Sequence, residues 1–221
     1  MDIPAGVLSA PWLWAASVFY LWILYRAVCA APWARLRDNE AIHVFLGACV
    51  LAVVLWSIRA SVGAELGFHL LGTSALTLMF GWPLAIVAVS LVLLGTTLNG
   101  VGDWETFGLN AVLMGIVPVG VTHGLLRYAQ ARLPHNPFVY LFVNAFGAGA
   151  LAMCSTVLAG IVLITLAGDR GVAYLAYELL PYLPLIAFPE ASLNGILISV
   201  LVGLRMHWVY TFDDDLYLGG K

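Results

Sequence analysis

PFVYLFVNAFGAGALAMCSTVLAGIVLITLA, residues 137–167, runs for 31 residues without one charged side chain. A helix that crosses a bilayer needs about 17–25 such residues. This stretch is therefore read as a transmembrane helix, long enough to tilt or to extend beyond the hydrocarbon layer. Further apolar runs lie on both sides of it, at about 12–30, 41–58, 66–82, 83–98, 107–131 and 181–208. The third and fourth are parted only by Gly81-Trp82-Pro83, which reads as a tight turn with proline at a helix start. The third run is the weakest and is expected to be short or broken. The expectation is an all-α, polytopic transmembrane bundle of about seven helices. It forms one domain over residues 1–221, with an N-terminal insert at 1–10 and a tail at 209–221.

Composition agrees. Of the 221 residues 62% are hydrophobic and 10% charged, with mean hydropathy +0.98. Soluble domains carry about 25% charged residues, so lipid has to cover most of this surface. The nine basic residues form no run, which argues against nucleic acid. Cys29, Cys49 and Cys154 stand far apart in apolar stretches, giving neither a disulfide framework nor a C-x-x-C metal site. Trp12, Trp14, Trp82, Trp104 and Trp208 fall near span ends as an interfacial belt. The first residues have no basic region of the kind a signal peptide carries, and Met1 is taken as the retained start.

Basic residues orient the bundle. Across seven spans, Arg26, Arg35, Arg37, Arg127, Arg132, Arg205 and Lys221 fall on one side and only Arg59 and Arg170 on the other. That places the C-terminus in the cytoplasm and the N-terminus outside, in a multi-pass protein of a bacterial-type inner membrane. The acidic tail Asp213-Asp214-Asp215 is read as a solvated end.

Polar groups inside spans are few, and such groups usually have a purpose. His69 opens the third run on the outer side. Asn110 lies near the outer start of the fifth. Glu190 and Asn194 are four apart in the seventh, on one helix face, beside Pro189. Ten extended residues reach about 33 Å, so Met1–Gly6 is able to enter the bundle from outside. Its amine, the Asp2 amide and the Asp2 carboxylate make a chelating set, and His69 is the imidazole on the same side. Such N/O sets suit square-planar divalent ions.

His69-Leu70-Leu71-Gly72-Thr73, Gly81-Trp82-Pro83, Gly108-Leu109-Asn110 and Phe188-Pro189-Glu190-Ala191-Ser192-Leu193-Asn194-Gly195 together resemble the CbiM/NikM family. So does the start, Met1-Asp2-Ile3-Pro4-Ala5-Gly6. These are the substrate-binding membrane subunits of energy-coupling-factor transporters for cobalt and nickel. The resemblance implies a seven-helix bundle with the N-terminus inserted from outside. It implies a metal site at Met1, position two and His69, with Asn110 in support; Glu190 and Asn194, from their shared helix face, are read as a structural hydrogen-bonding pair or as ligand or substrate-path residues. The family carries histidine at position two, where this chain has Asp2, and a second asparagine on the fifth span, where it has Leu113. The implied substrate is a divalent transition metal ion. The implied partners are a transmembrane coupling subunit and ATPase subunits, since the sequence holds no G-x-x-x-x-G-K-[ST] and binds no nucleotide of its own.

Two other readings stand beside it. The scaffold serves as a non-transporting subunit or metal-delivery factor of a larger membrane complex, which the loss of the position-two imidazole favours. Alternatively, His43, His123 or His207 hold a haem. An enzyme is not expected: Ser155 and Cys154 have no base beside them in sequence.

Overall fold

Helices form where the apolar runs predict them. The computed structural model describes residues 2–58, 60–62, 66–167 and 180–219; Met1, Arg59, Arg170 and Lys221 lie outside this set. Helix α1 is Ala10–Ala30, and a 3-10 turn, Trp33–Arg37, leads into α2, Asn39–Ser57. Asp38 caps α2 by accepting from the Ala41 amide at 2.9 Å. Two three-residue strands, Ala60–Val62 and Leu66–Phe68, pair antiparallel. The helical stretch Thr73–Leu98 follows, then α5 over Phe107–Arg132, α6 over Pro137–Ala167 and α7 over Leu183–Leu204. A short α8, Asp214–Tyr217, ends the described chain.

Among the described residues six helices are long and apolar enough to cross a membrane, counting Thr73–Leu98 as one. That stretch is two helices. Gly81 breaks it at φ 79°, ψ 162°, a region open to glycine alone. A continuous helix would carry residue 95 about 34 Å from residue 72, at 1.5 Å per residue. Instead a Cβ at Gly72 would lie 3.3 Å from the Leu55 side chain, and one at Gly95 would lie 3.1 Å from Val53. Both ends therefore sit beside the same turn of α2, and the chain reverses at Gly81. Residues 73–80 are α3 and residues 82–98 are α4, with Pro83 in the first turn, where its missing N–H costs nothing. The seventh helix of the bundle is thus α3. The third apolar run begins as a strand and ends as eight helical residues, too few to span alone.

The last carbonyls of α3 would be orphaned by so short a helix. The tail supplies their donors. The Tyr210 amide donates to Met79 O at 2.9 Å, and the Thr211 amide and hydroxyl both donate to Leu78 O. The Tyr140 hydroxyl pairs with the Thr211 hydroxyl at 2.6 Å, and the Arg35 guanidinium covers the Tyr210 ring at 3.2 Å. Tail residues 209–219 fold back on the bundle: Val209, Phe212 and Tyr217 are buried, while Asp213, Asp214 and Asp215 face out.

The core lies around α3, α4 and α5. Leu78, Leu84, Leu113 and Met114 are buried there, whereas Trp14, Phe188 and Leu204 point outward at more than 70% exposure. Such an apolar exterior fits lipid contact. Gly81→Ala forces a side chain into the left-handed turn and toward the Tyr210 ring, 3.4 Å from the new Cβ. It should lower stability by about 1–3 kcal/mol, read as a fall in the thermal unfolding midpoint in detergent, whereas Gly47→Ala, on open helix surface, should not.

Candidate metal centre

The N-terminal segment lies inside the bundle. Ile3 is 1% exposed. Its N–H donates to Asn110 Oδ1 at 2.9 Å, and its carbonyl accepts from Asn110 Nδ2 at 3.1 Å. The second Nδ2 hydrogen goes to the Thr106 hydroxyl at 3.1 Å. A side-chain amide both donates and accepts, so Asn110 imitates the peptide group of a neighbouring strand; no carboxylate or aliphatic side chain does this. Further along, the Ala5 amide donates to Asp103 at 3.0 Å. Asp2, half-buried, is thereby held next to α5. α1 and α5 approach closely here, since a Cβ on Gly108 would fall 2.6 Å from Ser17 Cα.

His69 is buried at the start of the stretch that leads into α3. Trp56 packs over its ring at 4.9 Å between centroids and donates its indole N–H to Leu71 O at 2.8 Å. Nδ1 of His69 lies 3.2 Å from Leu70 O, and Nε2 lies 3.2 Å from the thioether sulfur of Met114. Met114 stands one turn after Asn110 on α5. The imidazole and the clamped N-terminal segment are therefore neighbours on one face of that helix.

The helix around Met114 is not ordinary. Residues Val112–Ile116 wind as a π-helix, with the Val117 amide donating to Val112 O. This register leaves Leu113 O without its usual partner. Pro118, lacking an N–H, leaves Met114 O likewise. Hydroxyls from two neighbours take both carbonyls: Thr156 donates to Leu113 O at 3.1 Å and Thr73 to Met114 O at 3.3 Å. Such π-helical turns recur at functional sites.

Glu190 and Asn194 hold the other side of the His69 segment. Glu190 is 1% exposed. Its Oε2 accepts from the Leu71 amide at 2.7 Å, and its Oε1 accepts from the Gly72 amide at 2.8 Å and from Asn194 Nδ2 at 2.8 Å. Asn194 Oδ1 accepts from the Ala75 amide at 2.7 Å. Three backbone donors at the head of α3 are thus satisfied by one helix face of α7, where negative charge is also favoured by the helix dipole. Gly149 of α6 permits the approach, with Glu190 O only 3.0 Å from where its Cβ would stand.

The structure brings Ile3, Asn110, Met114 and His69 into one chain of contacts and sets Glu190 and Asn194 behind it as backbone clamps. Met1 lies outside the described residues. Among the described residues no three His, Cys, Asp or Glu side chains gather in a group fit for a metal ion. The four remaining histidines make separate contacts: His43 with Asn39 O, His123 with the Trp82 ring, His135 with Gln130 O and His207 with Glu40. Sequence reasoning missed Met114, Trp56 and the Thr73–Thr156 pair. The spacing of Met114, four residues after Asn110, is the signal that points to it.

Comparison with known proteins gives a consistent picture. The family model described as the cobalt uptake substrate-specific transmembrane region, CbiM, matches residues 2–208. A crystal structure described as a truncated transition metal transporter superposes with TM-score 0.78 at 17% identity, covering 92% of this chain and 99% of its own. A second, described as a transition metal transporter, gives 0.78 at 16% identity, covering 94% and 96%. These likenesses show a shared fold. No curated protein matches the chain in sequence.

Glu190→Ala would strand the buried Leu71 N–H and the partly buried Gly72 N–H at the head of α3. It should cost about 2–4 kcal/mol of stability, measured by thermal unfolding in detergent, with Glu190→Gln intermediate. Asn110→Leu should release the N-terminal segment, read as faster hydrogen exchange at the Ile3 amide with the rest of α5 unchanged.

Proposed function

Because the chain belongs to the CbiM family of cobalt uptake substrate-specific transmembrane regions, we propose that it binds a divalent transition metal ion, of the cobalt or nickel type, as the substrate-binding membrane subunit of an energy-coupling-factor uptake transporter. The observation that carries this reading is the insertion of the N-terminal segment: Asn110 grips Ile3 on the same helix whose next turn meets the buried His69. Met1 amine, the Asp2 amide and carboxylate and the His69 imidazole are the ligands. Asn110 fixes the segment that carries the first two; Glu190 and Asn194 fix the backbone that carries the third. Outer residues that orient ligands in this way typically matter 10- to 100-fold for affinity. Two of these donors are backbone or terminal groups, so a search of side chains alone does not find the set.

The ion enters from outside, where the N-terminus starts, and leaves toward the cytoplasm. The basic residues on the tail side support that orientation. The chain is a transporter component and catalyses no bond chemistry. ATP hydrolysis belongs to partner subunits, joined to this one through a membrane coupling subunit, and the assembly sits in a bacterial-type inner membrane. The second reading, a repurposed subunit or delivery factor, draws on Asp2, which replaces an imidazole by a harder, charged ligand.

Purified protein with Met1 as its first residue should bind one divalent ion. His69→Ala, and a version extended by one residue before Met1, should each lose about 100-fold in affinity. Asp2→Ala should lose less, since the amide remains. Titration calorimetry and elemental analysis measure this. A protein that binds no cobalt, nickel, copper or zinc above background sinks the uptake reading and leaves the repurposed subunit.

A further inference from the structure

We propose that Met114 is a ligand to the transported ion, beside His69, and that its thioether sets which metals the site prefers. The inference rests on the metal-binding reading above.

The geometry comes first. Nε2 of His69 and the sulfur of Met114 are 3.2 Å apart. Metal–nitrogen bonds are about 2.0 Å and metal–sulfur bonds about 2.3 Å. Two such bonds to one ion at a right angle put nitrogen and sulfur about 3.1 Å apart, and at the tetrahedral angle about 3.5 Å. The observed separation falls between, close to the right angle of a square-planar site. The two donors need not move apart or together to share an ion.

Burial and rigidity come next. Met114 is 1% exposed and His69 4%, so water does not compete for the sulfur. Methionine is usually the adaptable member of a core, but this one is on a backbone pinned from two sides. Thr73 holds its own carbonyl and Thr156 that of Leu113. Thr73 is the first residue of α3, four residues after His69. The bond from Thr73 to Met114 therefore ties imidazole and thioether into one unit.

The chemistry follows from softness. Thioethers bind soft and borderline ions and contribute little to hard ones. Added to the amine, the Asp2 amide and carboxylate and the imidazole, a thioether shifts the preference toward copper and away from cobalt. Asp2 then compensates charge beside an ion whose selectivity comes from sulfur. Copper already leads the divalent series in most nitrogen sites, so raw copper affinity decides nothing. What decides is how the preference changes when sulfur is removed.

The test uses full-length protein with native Met1, titrated separately with Cu(I), Cu(II), Ni(II) and Co(II). Wild type is compared with Met114→Leu, close in volume, and Met114→Gln, which offers a hard oxygen at similar reach. X-ray absorption at the copper and nickel edges reads the bound neighbours directly. The expected result is a sulfur neighbour at about 2.3 Å in wild type that disappears in Met114→Leu, which assigns it to this residue and not to Met1. Copper affinity should fall at least tenfold in Met114→Leu while Co(II) affinity changes less than threefold, and Met114→Gln should narrow the copper-to-cobalt ratio further. Wild type with bound metal and no sulfur neighbour overturns the proposal whether or not the variants fold, and leaves the uptake reading intact. Equal losses for every ion in both variants overturn it too, because they mark Met114 as packing only. Absence of any ion from wild type removes both readings together.

Discussion

A carboxylate gripping two backbone amides holds this bundle's interior in place. Glu190 is buried, and its partners are the Leu71 and Gly72 N–H groups and the Asn194 amide. A carboxylate buried in this way is tolerable only because each oxygen accepts strong hydrogen bonds. In return, the extended stretch from His69 to Gly72 gains a fixed path through an apolar interior that would otherwise reject its open backbone. Remove that grip and three things lose their reference at once: the imidazole, the head of α3 and the crossing of α6 with α7 at Gly149.

The same rule, that membrane interiors leave no peptide group unpaired, explains the other irregularities. Asn110 serves the Ile3 peptide, Trp56 serves Leu71 O, Thr73 and Thr156 serve the carbonyls freed around Pro118, and Tyr210 with Thr211 serves the end of α3. Each of these departures has a named partner, and most of them lie where His69, Met114 and the N-terminal segment meet; a second π-helix, Tyr140–Gly147, lies within α6. Irregular backbone at membrane depth, covered by protein, is how transporters build sites.

Much of this was legible in residue order. Long uncharged runs predict helices because a single segment of that length pairs its own backbone in lipid only as a helix, and Gly81-Trp82-Pro83 predicts a reversal because glycine and proline have few alternative uses there. Glu190 and Asn194 stood out as costly polar groups on one face. Their partners did not, because the Leu71, Gly72 and Ala75 amides look like any others until the fold exposes them. Met114 was hidden for a different reason: in a chain that is 62% hydrophobic a methionine carries no contrast. The tail was misjudged in part. Three aspartates suggested a solvated end, and they are exposed, but Phe212 before them and Tyr217 after them anchor it to Tyr140.

The helix third in order is finished by residues made last. Glu190 meets Leu71 across 119 positions of sequence and Thr211 meets Leu78 across 133. While the chain is being synthesised, α3 therefore has neither its head carboxylate nor its tail donors until α7 and the segment after it have left the ribosome. An assembly intermediate that lacks α7 and the segment after it holds an open, under-bonded turn in its middle. The candidate site is therefore completed only once α7 is in place, and a truncation that spares every proposed ligand but ends before residue 190 leaves the His69 segment unclamped.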